Sequence, residues 1–109
     1  MKIDIQNENN YSMVLIEGSL SMDNAATFEN ALISLLNKKA NVILNFKEVR
    51  FIDSTCLGIM VLYFTKLKEI NKKLIIINIK HDINQMFKLT GISKQISCLN
   101  SLDKALDLL

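Results

Sequence analysis

The sequence predicts an α/β (α+β) fold, a mixed and mostly parallel sheet of four to five strands with about four helices, in the order ββαβαβαβα. Three observations predict it. The runs Val42-Ile43-Leu44-Asn45-Phe46 and Leu74-Ile75-Ile76-Ile77-Asn78-Ile79 have the near-continuous hydrophobicity of strands covered on both faces. Each is followed by a segment of helical apolar spacing, and parallel neighbours need such a crossover. Finally, the chain starts with two β-type runs around Asn7-Glu8-Asn9-Asn10, the pattern of an antiparallel hairpin.

Taken in order, the hairpin is expected at about residues 2–6 and 11–17, with an asparagine pair in its turn because Asn tolerates positive φ. Gly18 to Asn24 is a connection, and Asp23 or Asn24 could cap the next helix. Ala25, Phe28, Ala31, Leu32, Leu35 and Leu36 keep the i, i+3, i+4, i+7 spacing of an amphipathic helix. Asn37-Lys38-Lys39-Ala40-Asn41 ends it, the first apolar strand follows, and Lys47 to Arg50 leads out of that strand. A second helix carries Leu57, Met60, Val61, Phe64 and Leu67 and reaches about Asn71. After the second apolar strand, Asp82 with Gln85 resembles a capping box over an apolar face of Ile83, Met86, Phe87 and Leu89, and Gly91 stops that helix. Gln95 to Leu99 reads as a short edge strand, and Ser101 caps a last helix with Leu102, Ala105, Leu106 and Leu109.

Composition narrows the functional classes. With 109 residues, half of them hydrophobic, the chain has the size of one domain with one core. A formal charge of +2 from 13 basic and 11 acidic residues is too balanced for an electrostatic grip on nucleic acid. Cys56 and Cys98 are too few for a disulfide framework and form no C-x-x-C pair, which fits a reducing, cytoplasmic setting. The N-terminus lacks the apolar core of a secretory signal, and the apolar stretch Leu57 to Phe64 is too short for a membrane span. Lys66, Lys68, Lys72 and Lys73 read as a solvated helix end, favourable near the negative end of the helix dipole.

The candidate site is Arg50-Phe51-Ile52-Asp53-Ser54-Thr55-Cys56-Leu57-Gly58, where a strand leaves the core and a helix begins. A hydrolase would need Ser54 or Cys56 activated by a base, and the only histidine, His81, reads as a solvated residue near a helix start. No G-x-S-x-G elbow, paired zinc spacing or phosphate-cradling glycine loop is present, so no metal or cofactor is expected. Asp53 or Ser54 could serve simply as a helix cap. The helix after them is apolar nearly all the way round, so Ile59, Leu62 and Tyr63 either pack on a neighbouring helix or form a docking surface. A serine at a helix N-terminus can accept a phosphate without disturbing the fold. It would place a charge of roughly −1.5 to −2 beside an apolar patch, enough to repel a partner.

These residues resemble a known family. Phe51-Ile52-Asp53-Ser54-Thr55-Cys56-Leu57-Gly58 looks like the signature of STAS domains, in particular bacterial anti-sigma factor antagonists: an apolar pair, Asp, Ser, Ser or Thr, Gly, Leu, Gly. Ile16-Glu17-Gly18-Ser19-Leu20, Val42 to Phe46 and Phe87-Lys88-Leu89-Thr90-Gly91 match further family elements. The resemblance extends over essentially the whole chain and implies a single STAS domain over residues 1–109. Two positions depart from the pattern: Cys56 stands where the family has Gly, and Ser21 where it has Asp, with Asp23 two residues on.

By that resemblance Ser54 is the serine phosphorylated by a cognate anti-sigma factor serine kinase, with Thr55 as second choice. Unphosphorylated, the antagonist binds that kinase and frees a sigma factor; phosphorylation ends the interaction and a serine phosphatase restores it. Asp53, Ser54 and Thr55, with Cys56, Leu57 and Ile59 along the helix, would contact the partner. Ser21 and Asp23 would contribute from the preceding loop. The resemblance implies no catalytic residue, cofactor, metal, nucleic acid or membrane, and a monomer or weak dimer. The alternative is a STAS scaffold or transport-complex subunit without a phospho-switch.

Overall fold

The computed structural model describes residues 1–109. Five strands form one sheet in sequential order, β1 (Lys2–Asn7), β2 (Ser12–Leu20), β3 (Val42–Ile52), β4 (Leu74–Ile77) and β5 (Cys98–Leu99). β1 pairs antiparallel with β2, and all other pairs are parallel. Four helices complete the chain: α1 (Ala25–Asn37), α2 (Ser54–Glu69), α3 (His81–Thr90) and α4 (Leu102–Leu106). From β2 to β5 every crossover steps the same way across the sheet. Right-handed connections therefore place α1, α2 and α3 on one face.

That face holds the main core. Val14, Ile16, Leu44 and Phe46 of the sheet meet Phe28, Leu32, Met60 and Phe87 of the three helices. α4 covers part of the other face, where Ala105 joins Ile43, Ile75 and Ile77. The all-buried β4 shows why its sequence runs apolar without alternation. No helix is long and apolar enough to cross a membrane.

The element order and sheet agree with expectation; several boundaries do not. The hairpin closes over Glu8 to Tyr11, but the asparagine pair does so without positive φ. β2 continues through Gly18, whose φ of +106° only glycine adopts readily. β3 runs on to Ile52, because Lys47, Glu48 and Arg50 belong to a protruding, solvated half-strand. Two register shifts against β2 break its alternation. β4 ends at Ile77, since Asn78 turns to φ +59°.

Helix starts differ as well. Asn24 precedes α1, but its side chain bends back to accept from Ser21 N–H (3.0 Å) and donate to Ser19 O (2.8 Å). α3 starts one residue before Asp82, so the expected capping box does not form, and Gln85 instead lies 3.3 Å from His81 Nε2. His81 itself is exposed. Leu89 falls on the outer side of α3 and is 88% exposed. Gly91 does end α3 in the left-handed conformation, and Ser101 Oγ accepts from Lys104 N–H at 3.3 Å. The expected edge strand shrinks to Cys98–Leu99, preceded by a 3-10 turn.

Candidate functional site

The C-terminal ends of β2 and β3 meet the start of α2. Asp53 N–H donates to Leu20 O at 2.9 Å, extending the sheet pairing to the last residue before the helix. The Asp53 backbone is extended, and its Oδ1 accepts from Cys56 N–H at 3.0 Å. This is an N-cap, satisfying one of the donors a helix start leaves open. The other carboxylate oxygen accepts from Met22 N–H at 2.8 Å. A single side chain thus fastens α2 to the loop between β2 and α1. The Cys56 and Met22 N–H groups favour the charged form and hold the Asp53 carboxyl below the usual carboxylate range against the opposing pull of desolvation.

Because Asp53 is the cap, Ser54 and Thr55 are not. They occupy the first turn of α2 and are exposed. Gly58 lies one turn beyond Ser54, on the same side of the helix. It too is exposed, and an added Cβ there would meet nothing within 4 Å. Ile59 is half-buried and Leu62 exposed, so the outer side of α2 is small and polar at its start and apolar beyond. Tyr63 turns inward, its hydroxyl donating to Glu29 Oε2 of α1 at 2.9 Å. The reading of Tyr63 as a helix–helix contact is the one the structure adopts, and Leu62 is the residue left outside.

Two of the expected partner contacts are placed elsewhere. Cys56 is 0% exposed and Leu57 is buried. Both belong to the core side of α2, where packing on the sheet requires apolar residues. The Cys56 Sγ–H donates to Ser21 O at 3.5 Å, a second tie between α2 and the β2–α1 loop. Burial, with the Asp53 carboxylate beside it, pushes the Cys56 thiol up to about 11. It is therefore neither a thiolate nor a surface feature at neutral pH. The side chain that replaces glycine in the motif adds nothing to the face around Ser54.

Ser21 is half-buried and Asp23 exposed, next to the Met22 amide that Asp53 holds. The structure so brings Ser21, Asp23, Asp53, Ser54 and Thr55 to one end of the sheet. It also adds Met22, which pattern reasoning missed, and turns outward Phe51, which lay within the candidate stretch but was not expected as a partner contact. Met22 is 72% and Phe51 53% exposed. The signals were present: Met22 is a lone apolar residue in a polar loop, and Phe51 precedes the buried Ile52 on a strand, where neighbours face opposite ways.

This fold, with a capped helix start presenting a free hydroxyl, defines a class. The chain belongs to the STAS domain family, whose model matches residues 2–105. It is 26% identical over 92 residues to the anti-sigma-B factor antagonist of Bacillus subtilis (strain 168), covering 84% of each chain. An anti-sigma factor antagonist from Mycobacterium paratuberculosis has the same fold, with a TM-score of 0.89 at 20% identity over 98% of this chain and 92% of that one. The Bacillus cell fate determinant SpoIIAA, solved in its phosphorylated form, superposes with a TM-score of 0.74 at 16% identity over 97% of each chain.

Proposed function

We propose that the chain is an anti-sigma factor antagonist that works by partner switching. Its unphosphorylated form binds a cognate anti-sigma factor serine kinase and so releases a sigma factor. Phosphorylation of Ser54 ends that binding, and a serine phosphatase reverses it. The chain is then a ligand and a substrate, with no catalytic residue of its own.

The observation that carries this reading is the division of labour at the start of α2. Asp53 does all the capping, which leaves the exposed Ser54 hydroxyl without a structural task. A phosphate there would add roughly −1.5 to −2 charges beside a carboxylate already held in its charged form. Met22 of the neighbouring loop and Leu62 further along α2 are exposed apolar side chains, and the added charge would raise the cost of burying such a face against a partner. The likeness to an anti-sigma-B factor antagonist supports the partner class.

The test is to incubate the chain with its candidate kinase and ATP and locate the phosphate by mass spectrometry. Label is expected on Ser54. No label on Ser54 or Thr55 with a kinase active on another substrate would refute the switch. In binding measurements Ser54→Asp should weaken the complex by about a hundredfold, the scale of a like charge forced into an interface. Ser54→Ala should bind as the wild type does, and equal affinities for both variants would refute the mechanism.

A further inference from the structure

The two edges of the sheet are finished differently. At one, β5 is only two residues long, which leaves little backbone for another chain to pair with. At the other, β1 offers six residues and has no strand on its outer side. Its register against β2 runs from Lys2–Glu17 to Asn7–Ser12 without a bulge, and it contains no proline. Bulges, prolines and unpaired charges are the usual guards of an edge strand. The charges of β1, Lys2 and Asp4, neutralise each other at 3.8 Å.

The hairpin fixes which backbone groups of β1 face outward. Ser12 N–H donates to Asn41 O at 2.8 Å, on the side away from β1. Ser12 and Asn7 are therefore a non-hydrogen-bonded pair, and Glu8 N–H, donating to Tyr11 O at 2.8 Å, belongs to the hydrogen-bonded pair beside it. Alternation along the strand then turns the backbone N–H and C=O of Ile3, Ile5 and Asn7 to the open edge. Ile5 lies opposite the buried Val14, on the helix-covered face, yet is 38% exposed.

A second copy meeting this edge about a two-fold axis must set outward residues against outward residues, and few registers allow that. Centred on Asp4, the pairing would oppose two carboxylates; centred on Gln6, it would set Asp4 against Glu8. Like charges directly opposite destabilise a strand pair. Centred on Ile3, it would stop at Met1 and Ile5. Centred on Ile5, it runs from Lys2 to Glu8, with Lys2 opposite Glu8, Asp4 opposite Gln6, and the two Ile5 side chains against each other. This register is both long and charge-matched.

We propose that the chain pairs with a second copy of itself through β1, antiparallel about Ile5, joining the two sheets into one. The contact is isologous and smaller than the interfaces of about 1,200–2,000 Å² that hold stable dimers, so the dissociation constant is expected at roughly 0.1 mM. β2 separates this edge from the strand that leads to Ser54, so a pair carries two such sites at once.

The test is sedimentation equilibrium of the full chain from about 10 μM to 1 mM at about 0.15 M salt, where the average mass should climb toward that of a dimer. Ile5→Pro removes an outward donor that β2 does not use, so it should abolish association while the hairpin remains folded. Glu8→Lys and Lys2→Glu, each alone, oppose like charges at both ends of the pairing and should weaken association by about tenfold. Mixed together, the same two variants match every charge again and should associate at least as well as the wild type. That recovery is specific to the register and independent of any loss of stability in one variant. A chain that stays monomeric to about 1 mM would leave the edge to a strand of another protein or to none, and would overturn the proposal. So would a dimer that Ile5→Pro leaves intact, or a mixture that associates no better than the single variants.

Discussion

The two ends of the parallel strands are built from the same parts and finished differently. At one end α2 begins, and a side chain, Asp53, satisfies the open donors and anchors the neighbouring loop. At the other, α1 and α2 stop, and the backbone satisfies the open acceptors through Schellman turns. Each solution leaves residues over. At the α2 start the spare group is a hydroxyl, Ser54, among exposed apolar residues; at the opposite end it is a set of lysines around a cavity. Where the structural requirement of a helix end is already met, a remaining polar group is the one to examine for function.

The comparison breaks most readily at Cys56. If its role is to fill the space between α2 and the β2–α1 loop, Cys56→Gly, the residue usual in the motif, should destabilise the fold by about 2 kcal/mol. The estimate combines a lost buried side chain with the helix cost of glycine. Denaturant melts would show a lower midpoint with unchanged slope. A neutral outcome would mean that Cys56 packs less tightly than its full burial indicates.

Asp53 comes next. Removing the cap in Asp53→Ala should lower the melting temperature by about 4–8 °C. The pH dependence sharpens the point. Because the folded-state pKa of Asp53 is depressed, its contribution is complete above the unfolded carboxylate value of about 4 and is lost as pH falls through the folded value. Asp53→Asn should lack that acid-side loss. It keeps one acceptor for Cys56 N–H but offers an amide where Met22 N–H needs an oxygen. If wild type and Asp53→Asn lose stability in parallel below pH of about 4, the bonds to Cys56 and Met22 do not persist in solution.

How much of this was readable from sequence depends on whether a residue's role is local. Gly91 and Ser101 cap helices as their neighbours dictate, and Leu74 to Ile77 announces a strand buried on both faces. Asp53 and Ser54 were readable as a pair; which of them caps was not. The inward turn of Cys56 depends on how α2 rolls against the sheet, which no adjacent residue encodes. β3 looked short because its outer half is charged and bulged. Lys72 read as part of a solvated helix end, and only the folded chain places it beside Lys38 and Lys39.

Gly58 tests the α2 end with a gain. It occupies the middle of a helix turn with open space around it, so alanine should stabilise the fold by about 0.5–1 kcal/mol. Nothing within the chain calls for glycine there, whereas a partner lying close over Ser54 would. Gly58→Ala is therefore expected to raise the melting temperature while weakening the anti-sigma complex. Unchanged binding would place the partner's closest approach away from that turn.

The smallest effect is the most telling. Ser54 makes the first turn of α2 while Asp53 holds the capping bonds, so Ser54→Ala should change stability by no more than about 0.5 kcal/mol, the range of ordinary surface substitutions. A loss of about 1 kcal/mol or more would be that of a removed cap, and Ser54 would then have a structural reason to be present. Set beside the larger loss from Asp53→Ala, a silent Ser54→Ala separates the two neighbouring residues, one committed to the fold and the other free for a partner. The pair of melts needs neither kinase nor sigma factor, and it asks directly whether the hydroxyl at this helix start is surplus to folding.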